Sequence, residues 1–166
     1  FFQSYWESVL KNVKIIRVPQ GCPTVEKAMA VAEVFSKKKE FTAANPLKVE
    51  IGEGDHVIMG GNYFAQSEYE EDEEEGGENH QKTMLVTCSC ITFVGKGSSQ
   101  TTIIGGFSVH DQQNVRFEDM TVTNPVGIGL ELRGCEDEVD EFGAPRQSRK
   151  CEIAPSVDVL KCNVQR

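Results

Sequence analysis

Four short pieces of the chain follow one apolar, polar, apolar pattern: Val49-Glu50-Ile51, Ile91-Thr92-Phe93, Val115-Arg116-Phe117 and Val157-Asp158-Val159. Their first residues lie 42, 24 and 42 positions apart, so each long interval exceeds the short one by the same 18. This spacing describes one repeat of about two dozen residues, enlarged twice by an excursion of similar size. The last two repeats agree beyond the triplet, because Val115-x-Phe117-x-x-Met120-x-Val122 matches Val157-x-Val159-x-x-Cys162-x-Val164 position for position. Alternation at period two makes each triplet a strand whose outer two side chains share one face and whose middle side chain takes the other. A strand repeat of this length with glycine-marked corners predicts a solenoid, in which each turn buries its inward face by stacking on the next.

The segment ahead of the repeats has a different period. Lys14 to Val18 reads as a short strand ended by Pro19, and Thr24 as the N-cap of a helix running to about Lys38. Glu26 in the first turn and Lys37, Lys38 and Lys39 at the end both favour the helix dipole. Val25, Ala28, Met29, Ala32 and Phe35 make one apolar stripe, suited to covering the open end and unpaired strand edge of the first turn. A shorter helix is expected over Ser4 to Asn12, with Ser4 as N-cap, Trp6, Val9, Leu10 and Val13 at helical spacing, and an aromatic start at Phe1, Phe2 and Tyr5. The chain thus divides into a lead-in (1–20), a capping helix and linker (21–46), and the repeats (47–166) with charged excursions at about 67–81 and 136–150.

The entry IRVPQGCPTVEKAMAVAE, followed by PLKVEIGEGDHVI and then by ITFVGKGSSQTTIIGGFSV and NVRFEDMTVTNP, resembles the pectin-lyase-like β-helix superfamily. That superfamily includes algal and protist repeat proteins whose roles are mostly unassigned. The resemblance runs from about Ile15 to Val164. It implies an all-β solenoid, a right-handed parallel β-helix of about four rungs, with an N-terminal capping α-helix and a short extra helix before it. It implies little chemistry, since this architecture hosts lyases, hydrolases, adhesins and inert scaffolds alike.

A chain of 166 residues can form one domain with a genuine core. Its longest apolar runs are a few residues, against the ~18 needed to cross a bilayer, so no membrane span is expected. No signal-peptide pattern opens the chain, and its start at Phe1 rather than Met leaves room for a segment upstream. The formal charge of −9 is uneven. Residues 67–81 hold eight acids and no Lys or Arg, residues 136–150 hold five acids and three bases, and the remainder is nearly neutral, with 13 acids and 14 bases. This balance argues against nucleic acid, whose phosphates need a Lys/Arg surface. The first excursion lacks the spaced oxygen ligands of a calcium loop and reads as a tether or a patch for a basic partner. The stretch GKGSS at 95–99 lacks P-loop spacing, so Gly95 and Gly97, like Gly52, Gly54, Gly60, Gly61, Gly105 and Gly106, read as corners.

Of six cysteines, Cys162 takes the inward position that Met120 fills one repeat earlier, and Cys88 and Cys90 are expected on one face of a strand. Cys135 and Cys151 bracket the second excursion, and a disulfide between them would stabilise the fold by about 3 kcal/mol in the chain-entropy model. Reduced thiols are the norm inside cells, the setting expected here. Without paired Cys-x-x-Cys motifs no zinc site is expected, and no cofactor.

Candidate chemistry lies on the outward middle positions Glu50, Thr92, Arg116 and Asp158, about 4.8 Å apart from strand to strand if they stack. Polysaccharide lyases and hydrolases of this fold use an outward Arg as base or charge stabiliser and carboxylates for proton transfer or calcium, which makes Glu50, Arg116 and Asp158 catalytic candidates. Thr92, Arg116 and Asp158, with Glu118 and Asp119 at the strand bend, are the binding candidates. Against catalysis, the chain has no RxPxxR motif and no repeated Asp pair, and an Arg–Asp cross-strand pair is ordinary sheet stabilisation. His56, His80 and His110 sit at different offsets and read as exposed loop residues, without spacing that suggests a nucleophile and its base. The final rung starts at Val157 and stops at Arg166 with no covering helix, so either the natural chain continues or another protein caps this end. The expected function is therefore a non-catalytic binding or scaffold module. Its protein partner would use the open C-terminal edge, the aromatic N-terminus or the charged excursions. The alternative is a polysaccharide lyase, glycoside hydrolase or carbohydrate-binding module.

Overall fold

The computed structural model describes residues 14–60, 82–125, 127–133 and 156–165. The expected helix over Ser4 to Asn12, both charged excursions, Gly61, His80, Cys135 and Cys151 lie outside the described residues. The described chain is mostly parallel β-sheet with one helix. In order it forms β1 (Ile15–Val18), α1 (Val25–Lys38), β2 (Leu47–Ile51), β3 (Gly54–Val57), β4 (Thr83–Val86), β5 (Ile91–Val94), β6 (Thr101–Ile104), β7 (Gly106–His110), β8 (Val115–Glu118), β9 (Thr121–Thr123), β10 (Leu130–Arg133), β11 (Val157–Leu160) and β12 (Asn163–Gln165).

These strands make three parallel sheets, in the orders β1-β2-β5-β8-β11, β3-β6-β9-β12 and β4-β7-β10. β1 and β2 lie side by side in the first sheet, and from β2 onward successive strands visit the three sheets in turn, so three turns supply one strand to each sheet and β11 and β12 begin a fourth. This is a solenoid-like, all-β arrangement. Corners recur in kind: Cys90 and Asn114, each just before a strand of the first sheet, both have φ 56°, and Asp119 and Lys161, each ending such a strand, have φ 54° and 50°. Matching left-handed residues at matching corners keep the turns in phase.

Sequence reading and structure agree on α1. Thr24 caps it, its hydroxyl accepting from the Lys27 N–H at 3.1 Å. Val25, Ala28, Met29 and Ala32 are buried and Phe35 packs against the same core. The helix contacts β1 and β2, while Glu26 accepts from the Met59 N–H at 2.7 Å and Glu33 from the Thr87 hydroxyl at 3.3 Å. Those partners follow β3 and β4, so α1 touches all three sides of the first turn. Inward residues of every sheet meet in one core, centred on Phe93, Phe107 and Phe117. Phe93 and Phe117 stack with centroids 5.3 Å apart, and Phe107 tilts against both at 5.4 and 4.7 Å.

One register differs from the sequence reading. Val157 pairs with Val115 and Val115 with Ile91 as expected, but Ile91 pairs with Leu47 rather than Val49. The first turn is thus 44 residues, and its triplet is Leu47-Lys48-Val49. The physical reason is the length of β2, which presents three inward residues, Leu47, Val49 and Ile51, all buried. A slip of two residues preserves the inward and outward faces, so the hydrophobic pattern is blind to it. The bond from the Leu47 N–H to the Cys90 carbonyl, 2.9 Å, fixes the choice. The sequence spacing also puts both excursions just before the triplet of the next turn, on one side of the solenoid, but in element order the first falls between β3 and β4 and only the second directly precedes such a triplet, between β10 and β11. Cys88 and Cys90 lie in the corner after β4 rather than in a strand.

Candidate functional site

The outer face of the five-stranded sheet carries two rows of side chains. Register sets Lys48, Thr92, Arg116 and Asp158 side by side in one, and Arg17, Glu50, Val94, Glu118 and Leu160 in the other. Glu50 therefore stands outside the row of Thr92, Arg116 and Asp158, two residues along its strand, and pairs with Arg17 at 3.3 Å. Arg116 bridges both rows: its Nη2 lies 3.3 Å from Asp158 Oδ2 and its Nη1 3.4 Å from Glu118 Oε1. Asp119 turns the chain with φ 54°, and its carbonyl accepts from the Gly97 N–H at 2.9 Å. Of the expected site residues, Thr92, Arg116, Asp158 and Glu118 are brought together, while Glu50 and Asp119 are placed elsewhere.

Thr92 is buried although it faces outward, because the segment before β2 comes close to it. Ala43 and Pro46 of that segment, with Thr92, Asn114, Arg116 and Asp158, line an open cavity of about 60 Å³. Its floor offers a hydroxyl and its walls an amide, a guanidinium, a carboxylate and a small apolar ledge. The ion pairs around it are exposed, and such pairs contribute about 0–1 kcal/mol to stability.

The inward residues of the last described turn are a second candidate surface. Val159 stacks on Phe117 and Val164 on Val122. Phe117 and Val122 are only 2% and 3% exposed, whereas Val159 and Val164 are 42% and 46% exposed. Leu132, which stacks on Val109, is half-exposed as well. Three sheets therefore end in apolar side chains at one end of the solenoid-like body.

Sequence reasoning missed a third grouping, on the sheet of β4, β7 and β10. There Ser108 Oγ lies 2.8 Å from His110 Nε2 and 3.1 Å from Glu131 Oε2. Ser108 and His110 share a strand face, which the segment GFSVH displays, but Glu131 is 23 residues away and joins only through the pairing of β10 with β7. The described histidines are half-buried strand residues rather than exposed loop residues: His56 sits in β3, its Nε2 2.9 Å from the Gly52 carbonyl oxygen.

Four described cysteines are free thiols. Cys22 and Cys88 are buried, Cys90 and Cys162 half-buried. Burial pushes the Cys88 thiol from its ordinary 9.0 up to about 11, with the charges of Glu33 and Cys90 adding to the effect. Burial likewise raises Cys22 and Cys162. Among the described residues no three His, Cys, Asp or Glu side chains gather into a metal-binding group, and no helix is long and apolar enough to cross a membrane. Comparison with protein-family models, with curated proteins and with solved structures gives no match.

Proposed function

We propose that the chain is a right-handed parallel β-helix that acts as a non-catalytic binding or scaffold module, docking a strand-bearing protein partner on the end formed by β10, β11 and β12. The observation that carries this reading is the exposure of Val159 and Val164, inward residues whose stacked counterparts are buried. An in-register turn laid on these strands would cover the apolar residues and satisfy the free edges of parallel strands, as strand addition does elsewhere. At the opposite end α1 already occupies that place. The test is size in solution together with amide exchange. A second copy of the chain is itself a strand-bearing partner, so at high concentration the chain should associate through this end with β11 and β12 amides protected, and Val159→Asp with Val164→Asp should yield a folded monomer. A monomeric parent with β11 and β12 amides exchanging freely at all concentrations overturns the reading.

A second reading rests on the cavity between Pro46, Asn114, Arg116 and Asp158. A sugar ring could set its apolar face on the ledge and its hydroxyls on the carboxylate and amide. Under this reading the protein works on polysaccharide, and incubation with acidic polysaccharides releases unsaturated products or reducing ends that Arg116→Ala abolishes. No turnover and no Arg116-dependent retention on immobilised polysaccharide removes it.

A further inference from the structure

The geometry points to Ser108 as an activated nucleophile that takes the acyl group of an apolar ester, with His110 as its base and Glu131 as a positioning residue. Phe107 and Val109, the neighbours of Ser108 in β7, are fully buried in the core, which turns Ser108 to the outer face of its sheet. On that face its hydroxyl donates to Glu131 Oε2 at 3.1 Å and lies 2.8 Å from His110 Nε2, which can accept from it in the tautomer that carries the ring proton on Nδ1. A hydroxyl has one proton to give, and in that tautomer rotation of the hydroxyl turns it from the carboxylate to the imidazole. Ser108 is 7% exposed, so its hydroxyl is held among protein partners rather than water. Leu85, in register with Ser108 on the side opposite Glu131, is half-exposed and offers an apolar surface for the acyl chain.

The step balances without a co-reactant. With its own proton on Nδ1, His110 Nε2 accepts the hydroxyl proton as the Ser108 oxygen attacks the ester carbonyl. The bond from the carbonyl carbon to the leaving oxygen breaks, His110 returns the proton to that oxygen, and acyl-Ser108 and an alcohol result. Glu131, which accepts from the Ser108 hydroxyl in the resting site, holds the serine in place beside the histidine. This site lies on a different sheet from the cavity, and on β10 it uses the outward Glu131 whereas the apolar end uses the inward Leu132, so its failure leaves both earlier readings standing.

The test is reaction of the full chain with a serine-directed fluorophosphonate and with p-nitrophenyl butyrate, followed by peptide mass mapping. The folded parent gains one adduct, on the peptide holding Ser108, and the chain unfolded in guanidinium gains none there. His110→Ala slows the reaction on the order of a hundredfold, and added imidazole restores part of it, a recovery that loss of a merely structural contact would not give. Glu131→Gln, which keeps the side-chain shape, reacts more slowly than the parent. Absence of an adduct on Ser108 in the folded parent, or equal labelling of the folded and unfolded chain, overturns the proposal.

Discussion

At the scale of single residues, backbone conformation and burial set the strongest constraints. Gly105 has φ 133°, and a Cβ there would sit 2.7 Å from Ile58 Cβ and 2.9 Å from the Lys82 carbonyl oxygen. Gly105→Ala combines a backbone that side chains rarely adopt with a clash in the wall of the core, and it should lower stability by about 1–3 kcal/mol in urea titration. Cys88 gives a pH signature. Its thiol is raised to about 11 in the fold from 9.0, so between these values the folded state keeps a proton that the unfolded state has lost. Stability from this group is full below pH 9 and falls as pH rises toward 11. Comparing denaturation midpoints of the parent and Cys88→Ala across this window should show the smaller decline in the variant; identical declines would remove the assignment. What could be read from letters alone differs between the two polar groupings. Arg116 and Asp158 were legible as neighbours because VRF and VDV repeat in an unambiguous frame. Ser108 and Glu131 were not, since β7 and β10 carry no shared motif that announces their pairing.

At the scale of elements, α1 was almost fully legible. A Thr cap, a stripe at helical spacing and charges placed for the dipole all point the same way, and they are local. Its burial makes a sharp prediction. Val25 is buried between the helix and the first turn, so Val25→Asp places an unpaired carboxylate in the core, which costs several kcal/mol, and the whole described domain should lose its cooperative thermal transition. A variant that melts like the parent would separate α1 from the stability of the sheets. Strand β2 teaches the opposite lesson. Its alternation identified it as a strand and sorted its faces, yet gave no means of choosing between Leu47 and Val49 as the partner of Ile91. Glu50 was placed beside Thr92 on that ground, and the two-residue slip put it beside Val94 instead.

At the scale of the whole molecule, the three phenylalanines join sheets that are distant in sequence. Phe93 and Phe117 come from the five-stranded sheet and Phe107 from the three-stranded one, and all are fully buried or nearly so. Phe107→Ala should cost about 3–5 kcal/mol, read as a shift in denaturant midpoint with an unchanged slope. The chain by itself determined that there would be stacked parallel strands, a covering helix, inward and outward faces, and an Arg–Asp pair on the outside, because period, capping and repeat are carried by residues close together in sequence. Tertiary structure alone decided the register of the first turn, the burial of Thr92 beneath Ala43 and Pro46, and the meeting of Ser108, His110 and Glu131. Each of these depends on how far one turn slides along the next, and hydrogen bonds between turns fix that offset where the alternation of side chains leaves it free.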